Sequence, residues 1–268
     1  MMLNKTMPAA TEEQKRYLTF AAILFTENGH SCDELQIKNK IGIKRMLRKW
    51  WGIKDRSEAV KTAESLSIAD EHTPFADDVF NEFIKKDRRP PLTAKGLWDL
   101  TGLENAYRSS VRRALLIAEI PDNEITPELL EEVMVKDEYQ EGFMGVLFDR
   151  LAIGLECYKV ANDVLIRAGY PEEELEQIKT LSAWDYGRTG IIARYGANVG
   201  YLREDEAWQY MKTAAENSAG VYSGWREHFA AYILGRAVAY GDDCTDLYET
   251  MDYLLNSAES PILKIPFK

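Results

Sequence analysis

The chain has 268 residues, 46% hydrophobic and 29% charged, with a net charge of −11. That is enough for one large domain or two small ones, and the composition is that of an ordinary globular protein. An acidic balance disfavours nonspecific binding to nucleic acid or anionic membrane, which both need a basic footprint, and fits a cytoplasmic protein or one with a basic protein partner.

Helix signals run through nearly the whole chain. Strand alternation is missing, and Asn28-Gly29 reads as a helix stop rather than a hairpin. Glu12–Asn28 is expected as one helix ending at Gly29. Lys38–Trp51 is expected as a second, in which Lys38, Lys40, Lys44, Arg45, Arg48 and Lys49 surround Ile41, Met46, Leu47 and Trp50. Asp55 caps the next helix, with Glu58 at the capping-box position. Thr73-Pro74 opens another that runs to Lys86. The stretch Lys85–Pro91 is the best linker, dividing an N-terminal helical region (1–89) from a main helical domain (90–268). Thr126-Pro127 and Tyr170-Pro171 place proline at the first helical position. A helix is expected over 139–168. Gly52–Ala59 and Gly200–Ala207 echo each other faintly, as shared helix-start chemistry or as a duplication.

The segments 183–199 and 225–240 are almost free of charge, and each carries one arginine within its apolar stripe. At helical spacing, Arg188 lies among Trp184, Ile191, Ile192, Tyr195 and Val199. Arg236 lies among Trp225, Phe229, Tyr232 and Tyr240, with the two tyrosines placed to stack on its guanidinium. Glycines 187, 190 and 196 each cost about 0.5–1 kcal/mol relative to Ala inside a helix. That cost points to close approach by another helix or a ligand. Arg150 also faces the apolar side of its helix, among Phe143, Leu147, Gly154 and Ala161.

An arginine is rarely buried without a partner. Three readings follow. Arg188, Arg236 and Arg150 are locked by buried acids, with Asp185 or Glu156 as partners, or by backbone carbonyls at helix ends. Or Arg188, Arg236, Trp184, Asp185, Tyr232, Trp225 and Arg150 line a pocket for a small anionic ligand. Or an arginine acts as an electrostatic clamp in catalysis. Trp184 and Trp225, each heading its stripe, are expected to be buried side by side.

Other chemistries find no foothold. The three cysteines, Cys32, Cys157 and Cys244, are scattered and odd in number, which argues for a reducing compartment over a disulfide framework. The three histidines, His30, His72 and His228, form no metal-ligand spacing, so no metal is expected. Phosphate-loop, dinucleotide and nucleophile-elbow signatures are absent, so neither a cofactor nor a catalytic residue is assigned. The acidic pairs Glu131-Glu132 and Asp242-Asp243 read as solvated. Met1–Tyr17 has no signal-peptide core, and the longest apolar stretch, Phe143–Leu155, is broken by Asp149 and Arg150, so no membrane span is expected.

The last third carries a recognisable pattern. Trp184-Asp185-Tyr186-Gly187-Arg188, Gly200-Tyr201, Asp205-Glu206-Ala207-Trp208, Ser223-Gly224-Trp225 and Tyr232-Ile233-Leu234-Gly235-Arg236-Ala237 resemble, in order and spacing, a bacterial family catalogued as domain of unknown function 1266. The flanks Trp51–Ala59 and Ser260–Phe267 are similar too, so the likeness covers roughly 45–268. Gly224 is inserted within the Ser-Trp step, and Ile262 and Phe267 stand where the pattern has tryptophans. The resemblance implies no catalytic residues. The expectation is an all-α protein of eight to eleven helices around a central low-charge, Gly-rich pair. Its function is that of a binding or interaction protein, with an enzyme or sensor for a small anionic ligand as the alternative.

Overall fold

A computed structural model describes residues 7–38, 40–69, 77, 80–85, 107–108, 111–112, 114–116, 118–241 and 244–268; for 82–83, 137–140 and 143–152 it describes the backbone alone. Eleven α-helices lie among these residues: α1 Glu12–Thr19, α2 Ala22–Glu27, α3 Ile43–Trp51, α4 Arg56–Ser67, α5 Pro127–Met134, α6 Asp137–Arg167, α7 Glu172–Gln177, α8 Ala183–Val199, α9 Glu204–Val221, α10 Trp225–Tyr240 and α11 Thr245–Asn256. No strand occurs among the described residues. The all-α class and the helix number are as expected. Contacts group the chain into two compact units, one of Met1–Asp70, Ala161–Arg236 and Cys244–Lys268, the other of Glu71–Val160 and Ala237–Asp243.

The first unit is built around α8. Fourteen of its seventeen residues are buried. It packs against α2, α3, α4 and α9, and α9 packs in turn on α1 and α4. A helix covered on all sides has no polar face, which is why its sequence is so poor in charge. Its glycines mark where neighbours press closest. A Cβ on Gly187 would lie 2.5 Å from the Tyr232 ring of α10, one on Gly190 would overlap Ala21, and one on Gly196 would lie 2.9 Å from Leu202. From α10, a Cβ on Gly235 would come within 2.9 Å of both the Leu181 carbonyl and Trp184 Cβ. Residue 187 thus meets 232, and 184 meets 235. The two helices run antiparallel and are the expected central pair.

Several expected elements differ in detail. The first helix is two, α1 and α2, broken at Phe20–Ala21. The break is where Ala21 is pressed against Gly190 and where His228 takes the Phe20 carbonyl, with 3.1 Å between Nε2 and oxygen. Gly29 does end α2, in the left-handed region at φ 68°. The second helix starts at Ile43 rather than Lys38, because Gly42 before it is left-handed at φ 90°. Asp55 caps α4 through the Glu58 amide, but Glu58 reaches back to Lys54 N rather than to Asp55 N. Thr126 and Pro127 open α5 as expected. Pro171 sits one position earlier than expected, as the residue flanking α7.

In the second unit, Tyr107, Val111, Leu115, Ile125, Leu130, Val133 and Met134 form a small core, closed by a 3.0 Å hydrogen bond from the Tyr107 hydroxyl to the Met134 carbonyl. Phe80, in a single π turn over Phe80–Ile84, meets Tyr158 edge to face. The helix opened at Thr73-Pro74, the Lys85–Pro91 linker, His72 and Asp242-Asp243 fall on or beyond the edges of the described residues.

Candidate functional site

Three of the seven residues singled out from sequence, Arg188, Arg236 and Tyr232, converge on the indole of a fourth, Trp184, and a fifth, Asp185, pairs with Arg188. Trp184 is 7% exposed. The Arg188 guanidinium lies 5.1 Å from its ring centroid and that of Arg236 5.6 Å. Tyr232 meets it edge to face at 5.0 Å. Both guanidiniums are within cation–π range, which partly repays their desolvation. Arg188 also pairs with Asp185 one turn earlier, and both side chains are mostly shielded from solvent. Trp51, at the end of α3, comes within 5.9 Å of the same guanidinium.

The Tyr232 hydroxyl is buried and finds no hydrogen-bond partner among the described residues. Burial pushes its pKa well above the usual 10, while Arg236 and Arg188 pull the other way. The hydroxyl therefore stays neutral, beside the indole on which both guanidiniums also lie.

Trp225 stands apart. It is half-buried, and its ring partners are Phe20, His228, Phe229 and Phe267. The expected side-by-side pair with Trp184 does not form. The antiparallel packing explains this: Trp184 lies opposite residue 235, ten positions along α10 from Trp225, or about 15 Å at 1.5 Å per residue. The indole instead donates to the Ile265 carbonyl at 2.8 Å and pins the C-terminal segment. That segment is further fixed by buried Ile262 and Phe267, and by Arg16 donating to the Phe267 carbonyl at 3.0 Å. Tyr240 does not flank Arg236 in a buried stack but is solvent-exposed. The Arg150 side chain lies outside the described residues.

Nor are Arg188 and Arg236 the buried arginines. Both are half-buried, whereas Arg194 is 1% exposed. Its guanidinium donates to the carbonyls of Leu35 (3.2 Å), Ser31 (2.6 Å) and Gln36 (3.3 Å), and lies 4.5 Å from the Phe25 ring centroid. Asn198, one turn on, donates to Leu35 O and accepts from Ile37 N, both within 2.9 Å. Together they clamp the 31–37 loop. Burial lowers the Arg194 pKa, and it still serves as a charged donor to carbonyls. An amphipathic reading of α8 hides this residue. The signal was that Ala and Gly cover the supposed outer side.

His228 was also missed. It is fully buried, its Nε2–H donates to the Phe20 carbonyl, and its Nδ1 accepts from the Ser218 hydroxyl at 2.9 Å. Desolvation lowers its pKa to about 4, so it is neutral at physiological pH. A lone histidine on the apolar side of a helix was the available sign.

The segments of the faint echo face each other. Arg56 forks onto both Glu206 oxygens, at 2.8 and 2.6 Å, and donates to the Tyr201 carbonyl. These bonds hold the Glu206 carboxyl at about pKa 2. A further concavity of about 320 Å³ opens beside Tyr170, Glu174, Ser223 and Arg226, where the Arg226 guanidinium sits 3.8 Å from the Tyr170 ring centroid. Among the described residues, no group of three or more His, Cys, Asp or Glu is placed to hold a metal ion. No helix among them is long and apolar enough to cross a membrane.

The fold is that of an all-α protein, and the residues that resemble the family pattern lie on or beside α8, α9 and α10. The chain belongs to the family described as protein of unknown function (DUF1266), whose model matches residues 46–267. It is similar to the uncharacterised Escherichia coli K12 protein YbeR, 36% identical over 56 residues, which is 21% of this chain and 24% of that protein. It is also similar to the uncharacterised protein YbeU of the same organism, 32% identical over 66 residues, or 25% and 28% of the two chains. The similarity thus spans about a quarter of each of these relatives. No solved structure matches.

Proposed function

We propose that this chain is a binding protein that acts through its surface, in the cytoplasm. The observation that carries the proposal is how the family-like motif is used. Gly187 and Gly235 make room for the α8–α10 crossing, Asp185 holds Arg188, Gly200 ends α8 at φ 81°, Glu206 holds Arg56 and Trp225 holds the C-terminal segment. Residues spent on packing specify a scaffold, and specificity then resides in what the scaffold displays. Three cysteines scattered along the chain, two of them buried, suit a reducing compartment. The acidic body favours a basic partner surface.

A second reading has one observation in its favour. Among the described residues the buried Tyr232 hydroxyl has no hydrogen-bond partner, and its ring, Arg188 and Arg236 all pack on Trp184. A small oxyanion there would accept from the hydroxyl and from both guanidiniums.

Two measurements separate the readings. Quantitative affinity purification of the full chain from cells should return a partner that persists when Trp184 is changed to Phe. If no partner is retained in any growth phase, the interaction reading falls. A thermal-shift screen against phosphate, carboxylates and nucleotides should leave Tm unchanged. An anion that raises Tm of the wild type but not of Arg188→Ala would establish the second reading instead.

A further inference from the structure

From Leu35 to Lys54 the chain has no acidic residue and seven cations, Lys38, Lys40, Lys44, Arg45, Arg48, Lys49 and Lys54. Taking these seven from a net charge of −11 leaves the remainder at −18. So sharp a segregation is a property of one surface of the molecule. Helix α3 turns Ile43 and Leu47 into the core and presents Lys44, Arg45, Arg48 and Lys49 to solvent. Among the described residues, neither Arg45 nor Arg48 makes an ion pair; the nearby pairs are Lys38–Glu34 at 3.8 Å and Lys54–Glu58 at 4.0 Å.

The same surface displays its largest apolar side chains. Trp50 is 71% exposed and Ile41 is 92% exposed. By helical spacing Trp50 continues the stripe of Ile43 and Leu47, but packing stops one turn short, where left-handed Gly52 (φ 70°) turns the chain away. Lys49 rests its ammonium 4.6 Å from the Trp50 ring centroid. An exposed tryptophan on a helix that also carries exposed arginines has the composition of an interface anchor, and it contributes nothing to the core.

We propose that the exposed C-terminal end of α3, where Trp50 stands beside Lys49 and Arg45 and Arg48 lie farther round the helix, docks a short acidic segment of a partner protein that wraps this end and also carries an apolar side chain to cover the indole. The proposal rests on the interaction reading above and gives the basic α3 surface its own, acidic occupant, distinct from the basic surface that the acidic remainder of the chain favours. Charge complementarity selects an acidic occupant. The neighbourhood selects a narrow one. Lys44 lies 5.4 Å from the Tyr201 ring centroid, so the start of α9 borders α3 and brings Glu204 and exposed Asp205, the latter paired with Arg203. A membrane or a nucleic-acid duplex, laid across α3 as an extended polyanion, would meet those carboxylates and the acidic remainder of the chain. A single peptide segment does not.

The test is site-specific photo-crosslinking of the full chain in cells, with benzoylphenylalanine replacing Trp50 and, separately, exposed Val221, Tyr253 or Leu263 as controls. The expected result is a position-50 adduct whose crosslinked peptide, read by mass spectrometry, is acidic and apolar. Its yield should fall about tenfold or more in an Arg45→Glu/Arg48→Glu double variant with unchanged Tm, corresponding to loss of charge complementarity. Adducts at position 50 to lipid or nucleic acid, to a second copy of this chain, or to a basic peptide overturn the proposal. So does an adduct formed only at a control position, which leaves the interaction reading standing. Absence of adducts at every position overturns both.

Discussion

Gly187 of α8 lies against Tyr232 of α10 so closely that a Cβ on the glycine would come 2.5 Å from ring Cε2 and 2.9 Å from Cδ2. The ring cannot swing clear, because its other edge meets Trp184. Gly187→Ala gains helix propensity but forces α8 and α10 apart. It should destabilise the protein by about 1–3 kcal/mol in urea unfolding. Gly220→Ala is the matched control, since a Cβ there meets nothing within 4 Å. It should be neutral or stabilise by up to about 1 kcal/mol.

Arg194→Met keeps volume and removes the donors that serve the part-buried carbonyls of Ser31 and Gln36 and the buried carbonyl of Leu35, the last of which keeps its bond from Asn198. Each carbonyl left without a donor costs about 1–3 kcal/mol, partly recovered if the 31–37 loop opens to water, so a loss on the order of 3 kcal/mol is expected. Hydrogen exchange gives the local readout. The Ile37 amide, bonded to Asn198 Oδ1 at 2.9 Å, should exchange faster in the variant. Unchanged stability together with unchanged protection would show that the clamp does not hold the loop.

His228 links the protein's stability to pH. Its imidazole contacts Ser218 Oγ and the Phe20 carbonyl and is ringed by Phe20, Tyr222, Trp225, Phe229 and Phe267. The folded pKa of about 4 lies below the ordinary 6.5. The unfolded chain therefore binds a proton between those values while the folded one does not. Stability is complete above pH 6.5 and declines as pH falls toward 4, by about 3 kcal/mol from this group. Urea midpoints between pH 7.5 and 4.5 should show the decline. In His228→Gln the slope over this range should flatten. An unchanged slope would place the titrating group elsewhere.

The class of fold and the central helix pair were legible because charge-poor, glycine-bearing helices survive only against other helices. The convergence of Arg188, Asp185, Arg236 and Tyr232 on Trp184 was legible for the same reason. What misled was treating α8 and α10 as amphipathic. A helix buried on every side has no preferred face, so angular position said that Arg188 was deepest, whereas Arg194 is. The pairing of Trp184 with Trp225 failed because sequence periodicity gives the face of a helix but not the direction of its neighbour. The break at Phe20–Ala21 depends on Gly190 and His228, far along the chain, and no local signal carries it.

Glu206 should extend the acid sensitivity to lower pH. Its folded pKa of about 2 is below the ordinary 4.5, and the first cause is the Arg56 hydrogen-bonded fork. The stabilisation is present above pH 4.5 and is lost as pH falls toward 2. In Arg56→Gln the carboxyl should titrate closer to 4.5 by NMR, and the protein should unfold at a higher pH during acid titration. A Glu206 pKa that stays near 2 would mean that Arg203 and the backbone amide hold the carboxylate without Arg56.

Trp225 should behave as an anchor for the C-terminal segment rather than as part of a ligand site. Trp225→Phe keeps the ring but loses the Nε1–H bond to the Ile265 carbonyl, with an expected cost of about 1 kcal/mol. Trp225→Ala also strips the contacts to Phe20 and Phe267, and should cost about 3 kcal/mol or more. In both variants, limited proteolysis should cut faster within residues 261–268, ahead of global unfolding. The Trp184 cluster, some ten residues away along α10, should be unaffected, so any anion-induced shift in Tm would survive. If Trp225→Phe left the C-terminal segment as protected as in the wild type, Phe267 and Arg16 would be sufficient to hold it.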